Sequence, residues 1–220
     1  MRIFIGTDPR QPIAWVVLAN SIARHSSIPV EITPLVLKQL PITRRGLTEF
    51  TYSRFLVPWL CKFQGRALFL DADMVVTGDI ADLANDGMDM KSSVRVNQNQ
   101  QKFEWASAML FNCYNCQNLT PEYVQNPANS MFDLAWAEKG VGSFPSEWNH
   151  CVSYDSPRMD AKLFHYTAGI PIWSETTGEN GHVEDKVWLK EAKIAVSSCS
   201  YRELMGGSVH AQRASKSAHS

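Results

Sequence analysis

The chain has 220 residues, 45% hydrophobic and 20% charged, which describes one ordinary globular domain with a sizeable core and argues against a disordered or fibrous chain. A formal net charge of −1 gives no basis for a general nucleic-acid binder or for adhesion to an anionic membrane. No apolar run approaches the ~20 residues of a membrane span, and the opening Met1-Arg2-Ile3-Phe4-Ile5-Gly6-Thr7-Asp8 turns polar too soon for a secretory signal, so a cytoplasmic location is expected.

Residues 3–7 form a continuous apolar run ending in small and polar residues, as a buried parallel strand does. After the loop Asp8-Pro9-Arg10-Gln11-Pro12, the spacing of Ala14, Val17, Leu18 and Ile22 predicts a helix from Ile13 to His25. Residues 29–37 read as a second strand, with Pro34 placing it at an edge or bulge. This β-α-β opening favours a right-handed crossover and a doubly wound α/β sheet. A second helical stretch, Thr51 to Lys62, contains Pro58, which should kink or shorten it. Arg66-Ala67-Leu68-Phe69-Leu70 is a buried strand that runs directly into Asp71-Ala72-Asp73. Short strands are expected at 92–96, 108–112 and 162–165, and a helix at about 131–138. Residues 1–205 are expected to form one domain, and 206–220, without apolar periodicity, a flexible tail.

The five cysteines are Cys61, Cys113, Cys116, Cys151 and Cys199, an odd and sparse set that suggests reduced thiols. Cys113-x-x-Cys116 has no second such pair, and His150-Cys151 are adjacent, which is poor ligand spacing for zinc. Two structural thiols after a strand are expected there.

In open α/β sheets ligands bind beyond the carboxyl ends of the strands, and Asp71 and Asp73 stand at such an end. At i and i+2 of an extended segment both side chains project to one face. Two carboxylates so placed repel each other, a cost that a divalent cation removes. A cation held by few carboxylates keeps open positions for a diphosphate. The pair therefore suits Mn²⁺ or Mg²⁺ bound to a nucleotide diphosphate. The competing explanation, a capped turn after a strand, is the commoner one for an isolated Asp-x-Asp.

The surroundings of the pair carry more information. The stretches Phe50-Thr-Tyr-Ser-Arg-Phe-Leu-Val-Pro-Trp-Leu60, Arg66-Ala-Leu-Phe-Leu-Asp-Ala-Asp-Met-Val-Val76 and Asp79-Ile-Ala-Asp-Leu83 resemble the signature region of glycosyltransferase family 8 and its bacterial and phage relatives, including the 17-residue interval from Arg54 to Asp71. The resemblance continues in Trp105-Ala-Ser-Ala-Met-Leu-Phe-Asn112, in Phe144-Pro-Ser-Glu-Trp-Asn149 and in Leu163-Phe-His-Tyr-Thr-Ala-Gly-Ile-Pro-Ile-Trp173.

This resemblance implies a GT-A-like α/β fold with a mixed central sheet, and transfer of a sugar, with retention, from a nucleotide-diphosphate donor, expected to be a UDP-sugar, to a hydroxyl acceptor. It implies that Asp71, Asp73 and His165 hold the cation, and an imidazole beside two carboxylates favours Mn²⁺ over Mg²⁺. Thr7 and Asp8 match the position that holds the nucleoside base, where an aspartate accepts from a uracil N3–H; an N-cap is the alternative for Asp8. Arg54 matches a residue reaching the donor phosphate or sugar, with a surface arginine as the alternative. Ala72 lies between the two acids of the motif, and Gly169 and Trp173 belong to the histidine loop.

Two departures stand out. The family's His-x-x-Gly-x-x-Lys-Pro-Trp carries a lysine for the leaving diphosphate, but here His165-Tyr-Thr-Ala-Gly-Ile-Pro-Ile-Trp173 has none, leaving Lys162 or an arginine as substitutes. The family's Asp-Gln pair is also missing, and Glu138 and Glu147 are the candidate catalytic acids near that register, each equally readable as a surface charge. The acceptor class stays open among glycan, lipid-linked sugar, protein and modified nucleic acid. A non-catalytic nucleotide-sugar binder is one rival. A haloacid dehalogenase-type phosphatase is the other, although Thr77 lies four residues after Asp73 where that loop needs two.

Overall fold

The computed structural model describes residues 1–86, 90–98, 101–172 and 181–197. The chain opens with β1 (Arg2–Gly6), α1 (Pro12–His25) and β2 (Glu31–Leu35). A 3₁₀ turn at Ser53–Leu56 leads into the short α2 (Val57–Leu60), then β3 (Arg66–Leu70), β4 (Met74–Val76) and α3 (Ile80–Asp86). After β5 (Val94–Val96), a 3₁₀ segment at Lys102–Ser107 enters β6 (Ala108–Asn112), and α4 (Pro121–Gln125) follows. The described chain closes with β7 (Val141–Ser143), β8 (His150–Cys151), β9 (Leu163–His165) and α5 (Asp185–Val196).

The larger sheet has the order β2-β1-β3-β6-β5-β7. β1 is parallel to β2 and β3, β6 is antiparallel to both β3 and β5, and β5 is parallel to β7. Five strands therefore run one way and β6 runs against them. Their carboxyl ends share one edge with the amino end of β6, so the residues entering β6 meet those leaving β3. A smaller sheet, β4-β9-β8, pairs Met74 with His165.

The apolar runs alternate between two cores, because successive strand side chains point to opposite faces. Ile3, Ile5, Leu68, Leu70 and Leu110 pack on the side of α1 and Trp188 of α5. Phe4, Phe69, Met109 and Phe111 face Phe55, Leu56 and Trp136 on the other side. Being buried on both faces, β1 and β3 show no polar alternation.

The predicted β-α-β opening is present, and Pro34 lies opposite Ile5 on the edge strand β2, where its missing N–H leaves no ladder bond unmade inside the sheet. Pro58 does shorten its element, standing in the first turn of α2 after the 3₁₀ segment. The helix expected at 131–138 does not form. Those residues make turns, with Leu134 at φ +58. Met131, Leu134 and Trp136 are buried, so their helix-like spacing comes from packing of an irregular segment, pinned by the Trp136 indole N–H donating to the Met131 carbonyl at 2.9 Å. The tail at 206–220 lies outside the described residues.

Candidate active site

Asp71 directly follows β3. Its backbone N–H donates to the Ser107 carbonyl at 2.9 Å, carrying the β3–β6 ladder one step past the strand. The chain then bends through Ala72 and Asp73 before β4, so the two acids are not in one extended segment. They are also unequal, the Asp71 side chain being 10% exposed and that of Asp73 24%. His165 ends β9, and the Tyr166 N–H donates to the Asp73 carbonyl at 2.9 Å. The β4–β9 pairing thus delivers His165 Nε2 to within 3.3 Å of Asp73 Oδ1.

A fourth group joins them. Glu104, buried in the 3₁₀ segment before β6, places Oε2 3.7 Å from His165 Nδ1. Potential ligand atoms of Asp71, Glu104 and His165 all lie within 4.8 Å of one another. Asp73 stands outside that set of three and adjoins it through His165. The Thr167 hydroxyl donates to Glu104 Oε1. Backbone bonds fix the acid as well, since its carbonyl accepts from Ser107 Oγ at 2.6 Å and from Asn149 Nδ2 at 3.2 Å.

Arg54 approaches from the opposite side. It is buried, donates through Nη1 to the Ala106 carbonyl at 2.8 Å, and holds Nη2 3.1 Å from Asp71 Oδ1. It is no surface arginine. That ion pair is not aligned as a hydrogen bond. Among the described residues, Asp71 Oδ1, Asp73 Oδ1 and His165 Nδ1 are buried atoms without a hydrogen-bond partner. Orphaned polar atoms of this kind are rare in folded proteins and mark a missing ligand or ion. Burial, reinforced by the neighbouring Asp73 and Glu104 and opposed by Arg54, pushes the Asp71 carboxyl up to about 7. Burial disfavours a charge on His165, but Asp73, a hydrogen bond with Cys151 and the charge of Glu104 outweigh it and raise its pKa well above the ordinary imidazole value. Carboxylates and an imidazole with unfilled valences fit a divalent transition cation.

The edge beyond β1 is organised differently. The Thr7 hydroxyl donates to the Leu35 carbonyl at 2.6 Å. Asp8 accepts from Arg10 three times, from the backbone N–H and Nε at 2.9 Å and from Nη2 at 2.6 Å. These bonds hold the Asp8 carboxyl below its usual range, against the opposing effect of burial. Asp8 therefore caps its own turn through Arg10, with Oδ1 accepting two bonds and Oδ2 one. Both residues nonetheless line a cavity of about 550 Å³ whose other walls include Trp15, Val36 and Leu37. The buried Trp15 indole N–H lacks a partner among the described residues. Gly6, just before Thr7, admits the Phe50 ring; a Cβ there would lie 2.4 Å from it.

The remaining expected residues fall as follows. Ala72 is buried between the two acids. Gly169 turns the histidine loop at φ +125, which favours glycine, and its N–H donates to the Tyr166 carbonyl at 2.8 Å rather than facing outward. Trp173 lies outside the described residues. Lys162 is committed to Asp82 at 2.7 Å and Glu147 at 3.6 Å, which does not place it as the substitute for the family's lysine. Glu138 is exposed and accepts from Asn118 Nδ2 at 3.4 Å, and Glu147 faces Lys162. The structure brings neither acid into the group around Asp71. The acid it does bring, Glu104, stands one residue before the Trp105–Asn112 motif and carries no local signal of its own. The antiparallel entry of β6 beside the end of β3 is what places Glu104 there. Cys61, Cys113, Cys116 and Cys151 are buried and none is in a disulfide, and burial pushes Cys116 up to about 12.

Over residues 10–118, the span containing Arg54, Asp71, Asp73 and Glu104, the chain matches the family described as glycosyl transferase family 8. Protein CDI of Arabidopsis thaliana is 32% identical over 226 residues, covering 86% of this chain and 85% of that protein. The glycosyltransferase GlyE of Streptococcus pneumoniae TIGR4 superposes with a TM-score of 0.62 at 14% identity, over 87% of this chain and 59% of GlyE, so this chain spans about three fifths of that one. The galactosyltransferase LgtC, solved with donor and acceptor sugar analogues, gives a TM-score of 0.58 at 12% identity, over 91% of this chain and 98% of LgtC. These structures share with this chain the GT-A arrangement of a mixed sheet flanked by helices. Family and fold together leave no place for the phosphatase alternative, and the chain belongs to glycosyl transferase family 8.

Proposed function

We propose that this glycosyltransferase takes its sugar from a UDP-linked donor and passes it, with retention, to a hydroxyl acceptor, with Asp71, Asp73 and His165 holding Mn²⁺ or, less favourably, Mg²⁺. The observation that carries the reading is the pair of buried carboxylate oxygens without a hydrogen-bond partner among the described residues, Asp71 Oδ1 and Asp73 Oδ1, with His165 Nε2 3.3 Å from the second, gathered at the carboxyl edge of the sheet. When bound, the cation supplies Lewis-acid stabilisation of charge on the departing diphosphate.

The chain's own residues do the rest. Arg54, locked by the Ala106 carbonyl, offsets the charge of Asp71 and fixes where that carboxylate points. The Tyr166 N–H to Asp73 carbonyl bond keeps the histidine loop in register with the acid pair. The cavity beside Thr7, Asp8 and Trp15, with an apolar wall, supports a nucleoside pocket. A uracil N3–H could be accepted by the remaining lone pair of Asp8 Oδ2, which takes one bond from Arg10. Retention rests on family membership. The acceptor is a molecule presenting a hydroxyl group, and the described residues include no helix long and apolar enough to cross a membrane.

Purified protein incubated with Mn²⁺ and UDP-glucose, UDP-galactose, UDP-xylose and UDP-N-acetylglucosamine should release UDP from at least one donor, and lose that release in EDTA. Release that persists in EDTA would contradict the metal assignment. Mn²⁺-dependent UDP binding without release from any donor would mark a binding module instead.

A further inference from the structure

We infer that Glu104 is a positioning residue for the cation site: its carboxylate fixes the Nδ1–H of His165, so that Nε2 is presented to the cation, and its charge lets the cation bind before any nucleotide arrives. The inference rests on the reading above, in which Asp71, Asp73 and His165 hold the cation.

The geometry of the imidazole comes first. Asp73 Oδ1 stands 3.3 Å from Nε2 and Glu104 Oε2 stands 3.7 Å from Nδ1, so a carboxylate faces each nitrogen. Metal-binding histidines almost always donate their other N–H to a carboxylate, carbonyl or water, which sets the tautomer and the ring orientation. Nδ1 is buried and makes no well-aligned hydrogen bond among the described residues; Glu104 is the carboxylate on its side of the ring, and the Cys151 side chain is a further neighbour of the imidazole. A closure of well under an ångström converts the 3.7 Å contact into that bond.

Glu104 is also held in place for the task. Thr167, two residues beyond His165, donates to its other oxygen, and Ser107 and Asn149 clamp its carbonyl. The acid is thus tied to both the histidine loop and the start of β6, and it is buried. A solvated surface charge would have none of these restraints.

Charge supplies the second half of the inference. With Asp71 and Asp73 alone, Arg54 leaves one net negative charge for a divalent cation, and a diphosphate is needed to balance the excess. Glu104 adds a third carboxylate, leaving two negative charges when the imidazole is neutral. A divalent cation cancels these without a nucleotide. Opposed charges a few ångströms apart in a poorly solvated site interact strongly, so the free protein is expected to retain its cation.

The test uses the full chain and the metal alone. Free Mn²⁺ measured by electron paramagnetic resonance should show binding without UDP, weakened roughly 10–100-fold in Glu104→Gln and restored in large part in Glu104→Asp. Equal Mn²⁺ affinity in wild type and Glu104→Gln would overturn the inference while leaving the metal centre intact. Absence of Mn²⁺ binding even with UDP present would instead overturn the underlying reading, and the inference with it. A measurement on the unaltered chain guards against a variant that does not fold. Long-range ¹H–¹⁵N spectra of the Zn²⁺-loaded protein should show His165 protonated at Nδ1 and metal-bound at Nε2. Metal on Nδ1, with Glu104 as a direct ligand, would overturn the positioning role.

Discussion

The two ends of the carboxyl edge satisfy their polar groups in opposite ways. At the end of β1, Thr7 bonds the Leu35 carbonyl and Asp8 takes three bonds from Arg10, so the loop is complete by itself. At the end of β3, Asp71, Asp73 and His165 keep buried atoms without a hydrogen-bond partner among the described residues, and the pKa values of Asp71 and His165 are pushed well above their ordinary range. A self-satisfied loop gains little from a ligand's polar groups. A site whose buried charged groups lack hydrogen bonds gains a great deal, because an unmade buried hydrogen bond costs about 1–3 kcal/mol and more for charged groups. On the proposed function, the contrast puts the main donor affinity at the β3 edge and leaves the β1 cavity to contribute mainly through its apolar wall.

The largest effects should come from the unsatisfied end. Asp71→Asn keeps the shape of the side chain and removes its charge, and should lower Mn²⁺-dependent UDP affinity by more than about 100-fold by calorimetry, since a ligand itself should matter more than its supporting groups. Arg54→Ala strands Asp71 and is expected to lower stability in urea by about 3–5 kcal/mol, the usual penalty for breaking a buried pair from one side. Gly169→Ala forces a Cβ into φ +125 and should cost about 1–3 kcal/mol, seen as a lower melting temperature.

The satisfied end should respond least. Arg10→Ala removes a pair whose arginine side chain is 64% exposed, and such pairs are weak. UDP affinity should change by less than about tenfold, with Mn²⁺ affinity unmoved. Because Arg10 depresses the Asp8 pKa, the pair's small stabilisation is present above the unfolded value of 3.8 and is lost as pH falls through the folded value. Arg10→Ala should remove that acid-side dependence in urea titrations. A large effect of Arg10→Ala on UDP binding would erase the contrast between the two ends.

Much of this arrangement was legible in the residues themselves. Asp71 and Asp73 follow a buried strand, and the motifs from Phe50 to Trp173 mark the family and with it His165. Glu104 was not legible, because its place depends on β6 running against its neighbours and starting where β3 stops. Nothing local in Phe103-Glu104-Trp105 encodes that. The segment at 131–138 failed for the converse reason. Its apolar spacing suits a helix, but Leu134 at φ +58 and the Trp136 bond to Met131 build a packed turn instead. Asp8 shows the same limit at short range, since its partner Arg10 is two residues away and the sequence does not say that its carboxylate is already occupied.

Donor binding is expected to run through a cation at the end of β3. Calorimetric titration of UDP into the wild-type protein, once with Mn²⁺ and once with EDTA, tests this most directly. Binding with Mn²⁺ that disappears in EDTA and in Asp73→Ala is the predicted result. UDP binding of equal strength in EDTA, or unchanged in Asp73→Ala, would contradict it.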